Sequence, residues 1–345
     1  MTRSIINPFL VCLLLASAAS SAAMADPIED FYRGKQIQLI IGFGVGDGFD
    51  TYARILARHM PRHIPGRPSI VVQNMPGVGS VKAMTYVQNI AAKDGTAFGL
   101  MNPAATVDAL FDPAQSGNLD PSKFDWIGSM ASDTTTCGFW TRTPVTLETL
   151  RLRKFVVGGT SATSGTMRAN RVLASVLGLD FKLVSGYRTL GDLTLAAEKG
   201  EVEGFCGAML ATLKVTAWDR YKNGELQIPV QAAIESDPDL PGVPNAFDLA
   251  GSEEDRQLLR LFVGPWYYGR PFFAPNGVPA DRLDALRAAF MAMHHDAAFI
   301  DEAKKIQLNV RPIDGLQVRE AVGKIYETPK AVIERARPIM GSGAQ

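Results

Sequence analysis

The chain has 345 residues, 46% of them hydrophobic, with 35 basic against 35 acidic side chains. That balance, with no basic stripe, excludes a nucleic-acid partner held by charge, and the length suits two domains of about 150 residues each. No stretch after the amino terminus is apolar for long enough to cross a membrane.

Arg3, the apolar run "PFLVCLLLA" at 8–16 and small residues ending in "AMA" at 23–25 have the layout of a secretory signal. Cleavage is expected after Ala25, leaving 345 − 25 = 320 residues. The apolar run falls short of the roughly 20 residues of a spanning helix. Cys12 within it lacks the small residues that precede a lipidated cysteine, so a soluble exported protein is expected. Cys137 and Cys206 lie in apolar, strand-like segments. In an oxidising compartment they form either one disulfide or two separate buried thiols, and the sequence leaves both open.

A strand is predicted over 37–41, and it empties into "GFGVGDG", where Gly42, Gly44, Gly46 and Gly48 surround Asp47. Asp50 is the expected N-cap of the following helix, in which Tyr52, Ile55, Leu56 and Met60 share one face before Pro61 stops it. A second strand over 69–75 leads into "PGVGS", and a third is predicted over 97–101. The pattern recurs at 154–178: a strand, a loop of small residues, and a helix with Ala169, Val172, Leu173, Val176 and Leu177 on its apolar face. Strands over 181–187 and 202–209 flank a helix carrying Leu190, Leu193 and Ala197. A late helix follows Pro279, with Leu283, Leu286, Phe290 and Met293 in one stripe. This alternation predicts an α/β fold with mostly parallel strands.

In open α/β sheets ligands sit beyond the carboxyl ends of the strands, where helix N-termini and free N–H groups favour an anion. Glycines let a ligand approach the backbone, and the hydroxyls of Thr160, Ser161, Thr163, Ser164 and Thr166 add donors. Two such loops facing one another make a cleft for a small acid. The glycine-rich loop does not meet the G-x-G-x-x-G spacing, no G-K-[ST] follows it, and there is no G-x-S-x-G elbow. His59 and His63 are interrupted by Pro61 and read as surface or capping residues, while His294 and His295 close a helix, where positive charge suits the dipole. No catalytic group, metal or cofactor is expected.

"FYRGKQIQLIIGFGVGDGFDTYAR" resembles the opening of the Bug family of extracytoplasmic solute receptors, through Phe43, Gly46, Asp50, Ala53 and Arg54. "IVVQNMPGVGSVKA" is similar to the family's next segment through Asn74, Pro76, Gly77 and Gly79. "AKDGTAFGL", "GYRTLGDLTLAAEKGEVEG" and "GRPFFAPNGVPADRLDALRAAF" resemble three further segments in the same order. The resemblance implies a two-domain periplasmic-binding-protein fold that closes like a flytrap on a ligand cleft between the domains. One domain would be discontinuous, 26–127 with 269–345, and the other would span 128–268. It further implies a periplasmic, monomeric receptor handing a small organic acid, or a zwitterionic amino acid, to membrane transporter subunits. Family ligands include di- and tricarboxylates, acidic amino acids and aromatic acids. Carried over, the first loop of the site is Phe43, Gly44, Val45, Gly46, Asp47, Gly48, Phe49 and Asp50. The second is Thr160, Ser161, Ala162, Thr163 and Ser164, with Asn102 and Ala104 as further cleft residues.

Three departures bear on the ligand. Asp47 stands where the family shows a second glycine, Thr189 where a glycine is common, and "TSATSG" replaces the usual rhythm of the second loop. An ionised Asp47 has three possible roles: pointing to solvent, accepting the loop's own N–H groups, or pairing with an amine of the ligand. Two rival functions share the scaffold, a ligand-presenting subunit for a sensor kinase and a secreted enzyme.

Overall fold

The structure, a computed structural model, describes residues 26–162 and 164–340. The expected export signal, Thr163 and the last five positions lie outside the described residues. Among the described residues eleven strands form two sheets. In chain order they are β1 (Gln36–Ile41), β2 (Ser69–Asn74), β3 (Ala97–Leu100), β4 (Asp125–Ser129), β5 (Thr135–Phe139) and β6 (Phe155–Gly159). There follow β7 (Phe181–Ser185), β8 (Gly204–Met209), β9 (Gln227–Ala232), β10 (Pro271–Ala274) and β11 (Ile313–Asp314).

The first sheet runs β11-β4-β10-β3-β1-β2 and the second β7-β6-β8-β5-β9. β1 pairs in parallel with both β2 and β3, and Ile37, Leu39, Ile40 and Ile41 are all fully buried. A strand apolar on both faces belongs in the middle of a sheet covered by helices on both sides. β10 returns from far along the chain to lie antiparallel between β3 and β4. In the second sheet β6 is parallel to β7 and β8, while β5 is antiparallel to β8 and β9.

Cys137 of β5 stands directly opposite Cys206 of β8, and the two form a disulfide. That resolves the pairing the sequence left open. The chain passes between the sheets through 130–134 and returns through the helix Glu253–Tyr267, which packs against the helices Gly165–Leu177 and Gly315–Tyr326. One apolar cluster spans both sheets: Trp126 and Phe273 of the first share it with Phe139, Phe155 and Val157 of the second. The two lobes are therefore joined by a continuous apolar core along one side.

Two expectations are corrected. The helix after β1 is Gly48–His59, and its N-cap is Asp47, whose side chain accepts from the Phe49 N–H, not Asp50. The reason is competition for Asp50, whose carboxylate is buried and occupied by donors described below. His294 carries no helix-end charge: it is buried, its Nδ1 meets the Phe290 carbonyl at 2.8 Å, and burial lowers its pKa to about 4.

Candidate functional site

The carboxyl ends of β1, β2, β3 and β4 in one lobe, and of β6, β8 and β9 in the other, carry the loops that border the junction of the sheets. A cleft of about 430 Å³ lies there, lined from both lobes. Tyr52, Arg270 and Asn309 come from the side of the first sheet, and Met209, Thr212 and Val215 from the second, with Asp133 and Trp266 from the connections between them. A smaller space of about 50 Å³ shares Trp266 and is bordered by Ala104 and Gly165. A larger open depression of about 720 Å³ at Trp140, Arg142, Glu198 and Arg220 belongs to the second lobe alone. It lies at the amino ends of β8 and β9, the wrong edge for a ligand in an α/β sheet.

The first loop is braced from below. Asp50 accepts from the Gly46 N–H, Arg54 Nε and Asn74 Nδ2, each at 2.9 Å, and Asn74 also donates to the Phe43 carbonyl at 3.0 Å. The Arg54 hydrogen bond, with those from Gly46 and Asn74, holds the Asp50 pKa down at about 2. Phe43 and Phe49 stack at 3.8 Å between ring centroids. Gly44, Val45, Gly46, Asp47 and Gly48 are exposed. The Gly46 and Phe49 N–H groups are thus taken up inside the loop, and the Asp47 N–H donates to the Gly44 carbonyl at 3.3 Å. Two glycines have structural causes. A Cβ at Gly42 would fall 2.2 Å from Ser80 Oγ, and Gly46 has φ +83°. At Gly44 and Gly48 a Cβ would meet nothing within 4 Å.

The second loop is also self-bonded. Ser164 caps the helix Gly165–Leu177, its hydroxyl accepting from the Met167 and Ser161 N–H groups. The Thr160 N–H donates to Thr166 Oγ1, and the Ala162 carbonyl accepts from Arg171. Thr160 is half-buried, while Ser161 and Ala162 are exposed. Asn102 donates its N–H to Ser80 Oγ and accepts from the Ala104 N–H, both at 3.0 Å. The expected residues therefore lie in three loops at the carboxyl ends of β1, β3 and β6.

Sequence reasoning missed Arg270, Trp266, Asp133 and Asn309, and read Tyr52 as an ordinary core position. Arg270 comes just before β10 and lies over the rings of Phe49 and Tyr52, 4.1 and 4.9 Å from their centroids. Burial lowers its pKa. Asp133 accepts from the Thr134 and Ala211 N–H groups, tying the connection between lobes to the second lobe, and burial raises its pKa. Tyr52 donates to the Asn309 carbonyl at 2.6 Å. The one available signal was Arg270 itself, a charge set directly against the apolar run of β10. Among the described residues no cluster of three or more potential metal ligands occurs, and no helix is long and apolar enough to cross a membrane.

This architecture, two α/β lobes with a cleft at the carboxyl ends of their strands, is the periplasmic-binding-protein fold. A TctC solute-binding protein from Polaromonas superposes with a TM-score of 0.70 at 15% identity, over 90% of this chain and 100% of that one. The periplasmic binding protein BugD matches at 0.52 and 18% identity, over 89% and 98%. MatC from Rhodopseudomonas palustris, with bound malate, matches at 0.52 and 21%, over 87% and 99%. No family model matches the chain, and no curated protein matches it in sequence.

Proposed function

We propose that this chain is a periplasmic solute receptor of the Bug type that captures a small carboxylate-bearing acid for a tripartite tricarboxylate-type transporter, without catalysis. The observation that carries this reading is the cleft lined by both lobes at the carboxyl ends of their strands. It occurs on a fold shared with solute-binding proteins, one of which is described with malate. In this reading 26–127 with 269–345 form one lobe and 128–268 the other, and cleavage after Ala25 releases the receptor into the periplasm. The disulfide suits that oxidising compartment. The loops 43–50, 102–104 and 160–164 border the ligand, with Asp50 acting from beneath as a brace. Open space above Gly44, Gly48 and Gly165 leaves their backbone within reach of a bound molecule.

The test is a melting-temperature screen of the refolded, ligand-free chain against malate, succinate, aspartate and benzoate, followed by small-angle scattering with the best binder. A true ligand at a hundredfold excess over its Kd stabilises the folded state by about 2.7 kcal/mol. Closure of the lobes should reduce the radius of gyration. A melting shift with no compaction removes the flytrap, and no shift with any acid removes the carboxylate reading.

A further inference from the structure

A guanidinium stays charged at any ordinary pH, and taking it out of water is costly unless anions or acceptors replace the lost hydration. Arg270 lines the cleft with that cost only partly met. Nη1 donates to the Gly269 carbonyl at 2.7 Å, whereas Nε is buried with no hydrogen-bond partner. Among the described residues no carboxylate forms an ion pair with this side chain, although Asp133 and Asp47 stand close enough for their charges to act on it, and no acceptor meets Nη2. The group is nevertheless held in place. Its plane lies over Phe49 and Tyr52, its own N–H donates to Ser129 Oγ at 3.0 Å, and its carbonyl accepts from the Met130 N–H. A fixed, half-buried cation with one edge unpaired is a receptor for a planar anion.

The rest of the cleft selects what the anion is attached to. Across from Arg270 the wall is formed by Met209, Ala211 and Val215, with the Trp266 and Tyr52 rings beside it. Val215 is 72% exposed and presents its side chain to the open cleft. Ser132, Asp133, Thr212, Thr216, Gln307 and Asn309 supply its polar atoms, and the Asp133 carboxylate accepts from the Thr134 and Ala211 N–H groups. Polar acids with carboxylates at both ends would leave one of them against this apolar wall.

We propose that Arg270 is the charge receptor of the cleft, binding the carboxylate of a small monoacid whose apolar body lies against Trp266, Met209 and Val215. This rests on the reading of the chain as an acid receptor and deepens it. Charge recognition moves from the backbone of the first loop to one side chain, and the ligand class narrows to acids with an aromatic or aliphatic body.

Calorimetry on the refolded full chain with benzoate, benzamide and malate tests it, using the wild type, Arg270→Gln, Arg270→Lys and Val215→Glu. Benzoate should bind the wild type and lose roughly tenfold or more in Arg270→Gln, because a hydrogen-bonded ion pair is removed. Arg270→Lys should recover only part of that, since an ammonium keeps the charge and loses the fork. Benzamide should not distinguish wild type from Arg270→Gln. Val215→Glu, at an exposed position that cannot unfold the core, should weaken benzoate by placing a negative charge on the apolar wall. Benzoate bound equally well by the wild type and a folded Arg270→Gln overturns the proposal while leaving the receptor reading intact. Unchanged benzoate affinity in Val215→Glu, or a wild type that binds malate and not benzoate, also overturns it. If neither acid binds the wild type, the proposal falls, and the receptor reading falls with it only where succinate and aspartate also fail to bind.

Discussion

Asp50 shows how one carboxylate can set a whole loop. Its three donors come from the loop, its own helix and β2, so it fixes the path of 43–50 from below. The linkage has a definite sign. The folded pKa is depressed, about 2 against an ordinary 3.8, so the stabilisation is complete above about pH 4 and is lost as pH falls towards 2. Its size is at most about 2 kcal/mol, reduced by solvent screening of the half-exposed Arg54. Urea unfolding of Asp50→Asn should therefore show a deficit at pH 7 that narrows by pH 2.5. An equal deficit at both pH values would mean that shape, not charge, braces the loop. The glycines divide in the same way. Gly42→Ala should destabilise the ligand-free chain, because its Cβ would collide with Ser80, while Gly44→Ala should leave melting unchanged and weaken ligand binding. Matching melting losses in both variants would deny the open face of the loop any part in binding.

At the scale of elements, the second loop separates into a cap and a free hydroxyl. Ser164 is committed to the N-terminus of the helix Gly165–Leu177, and removing such a cap costs about 1 kcal/mol. The Thr160 hydroxyl makes no hydrogen bond among the described residues, although its backbone N–H is bonded. Ser164→Ala is accordingly expected to lower the melting temperature of the ligand-free chain. Thr160→Ala should leave it in place and weaken acid binding by about tenfold, the effect of one donor to an ionised ligand. Parallel calorimetry and melting on the two variants check the division. Equal melting losses would make the loop structural throughout. The elements themselves were legible because their patterns are local: the buried run of β1 and the apolar face of Gly165–Leu177 repeat at strand and helix spacing. The N-cap was misplaced because two aspartates three apart both suit the position, and only the donors gathered around Asp50 from β2 decide between them.

In the whole molecule the lobes are linked on one side by the helix Glu253–Tyr267 and the apolar cluster around it. Arg311, from the strand-side segment of the first lobe, also forms an ion pair with the fully buried Asp237 carboxylate of the second. Thr134, in the connection between the sheets, donates to the same carboxylate at 3.0 Å. These contacts fasten the lobes at Arg311 and Asp237. The disulfide does not cross between lobes: it joins neighbouring strands of one sheet, closing a separation of 69 residues. In chain-entropy terms that is worth about 4 kcal/mol, spent on holding the second lobe together.

The sequence by itself determined the order of strands and helices and the two α/β units, because hydrophobic period and turn chemistry act over a few residues. The pairing of Cys137 with Cys206, the donors around Asp50 and the arrival of Arg270 over Phe49 and Tyr52 were decided only by tertiary structure. β10 inserts between β3 and β4 after the chain has built an entire second lobe, and that insertion carries Arg270 to the first loop. No local spacing encodes such a meeting. It follows from which strands can bury one another, and the unpaired charge it leaves in the cleft is a property of the assembled fold.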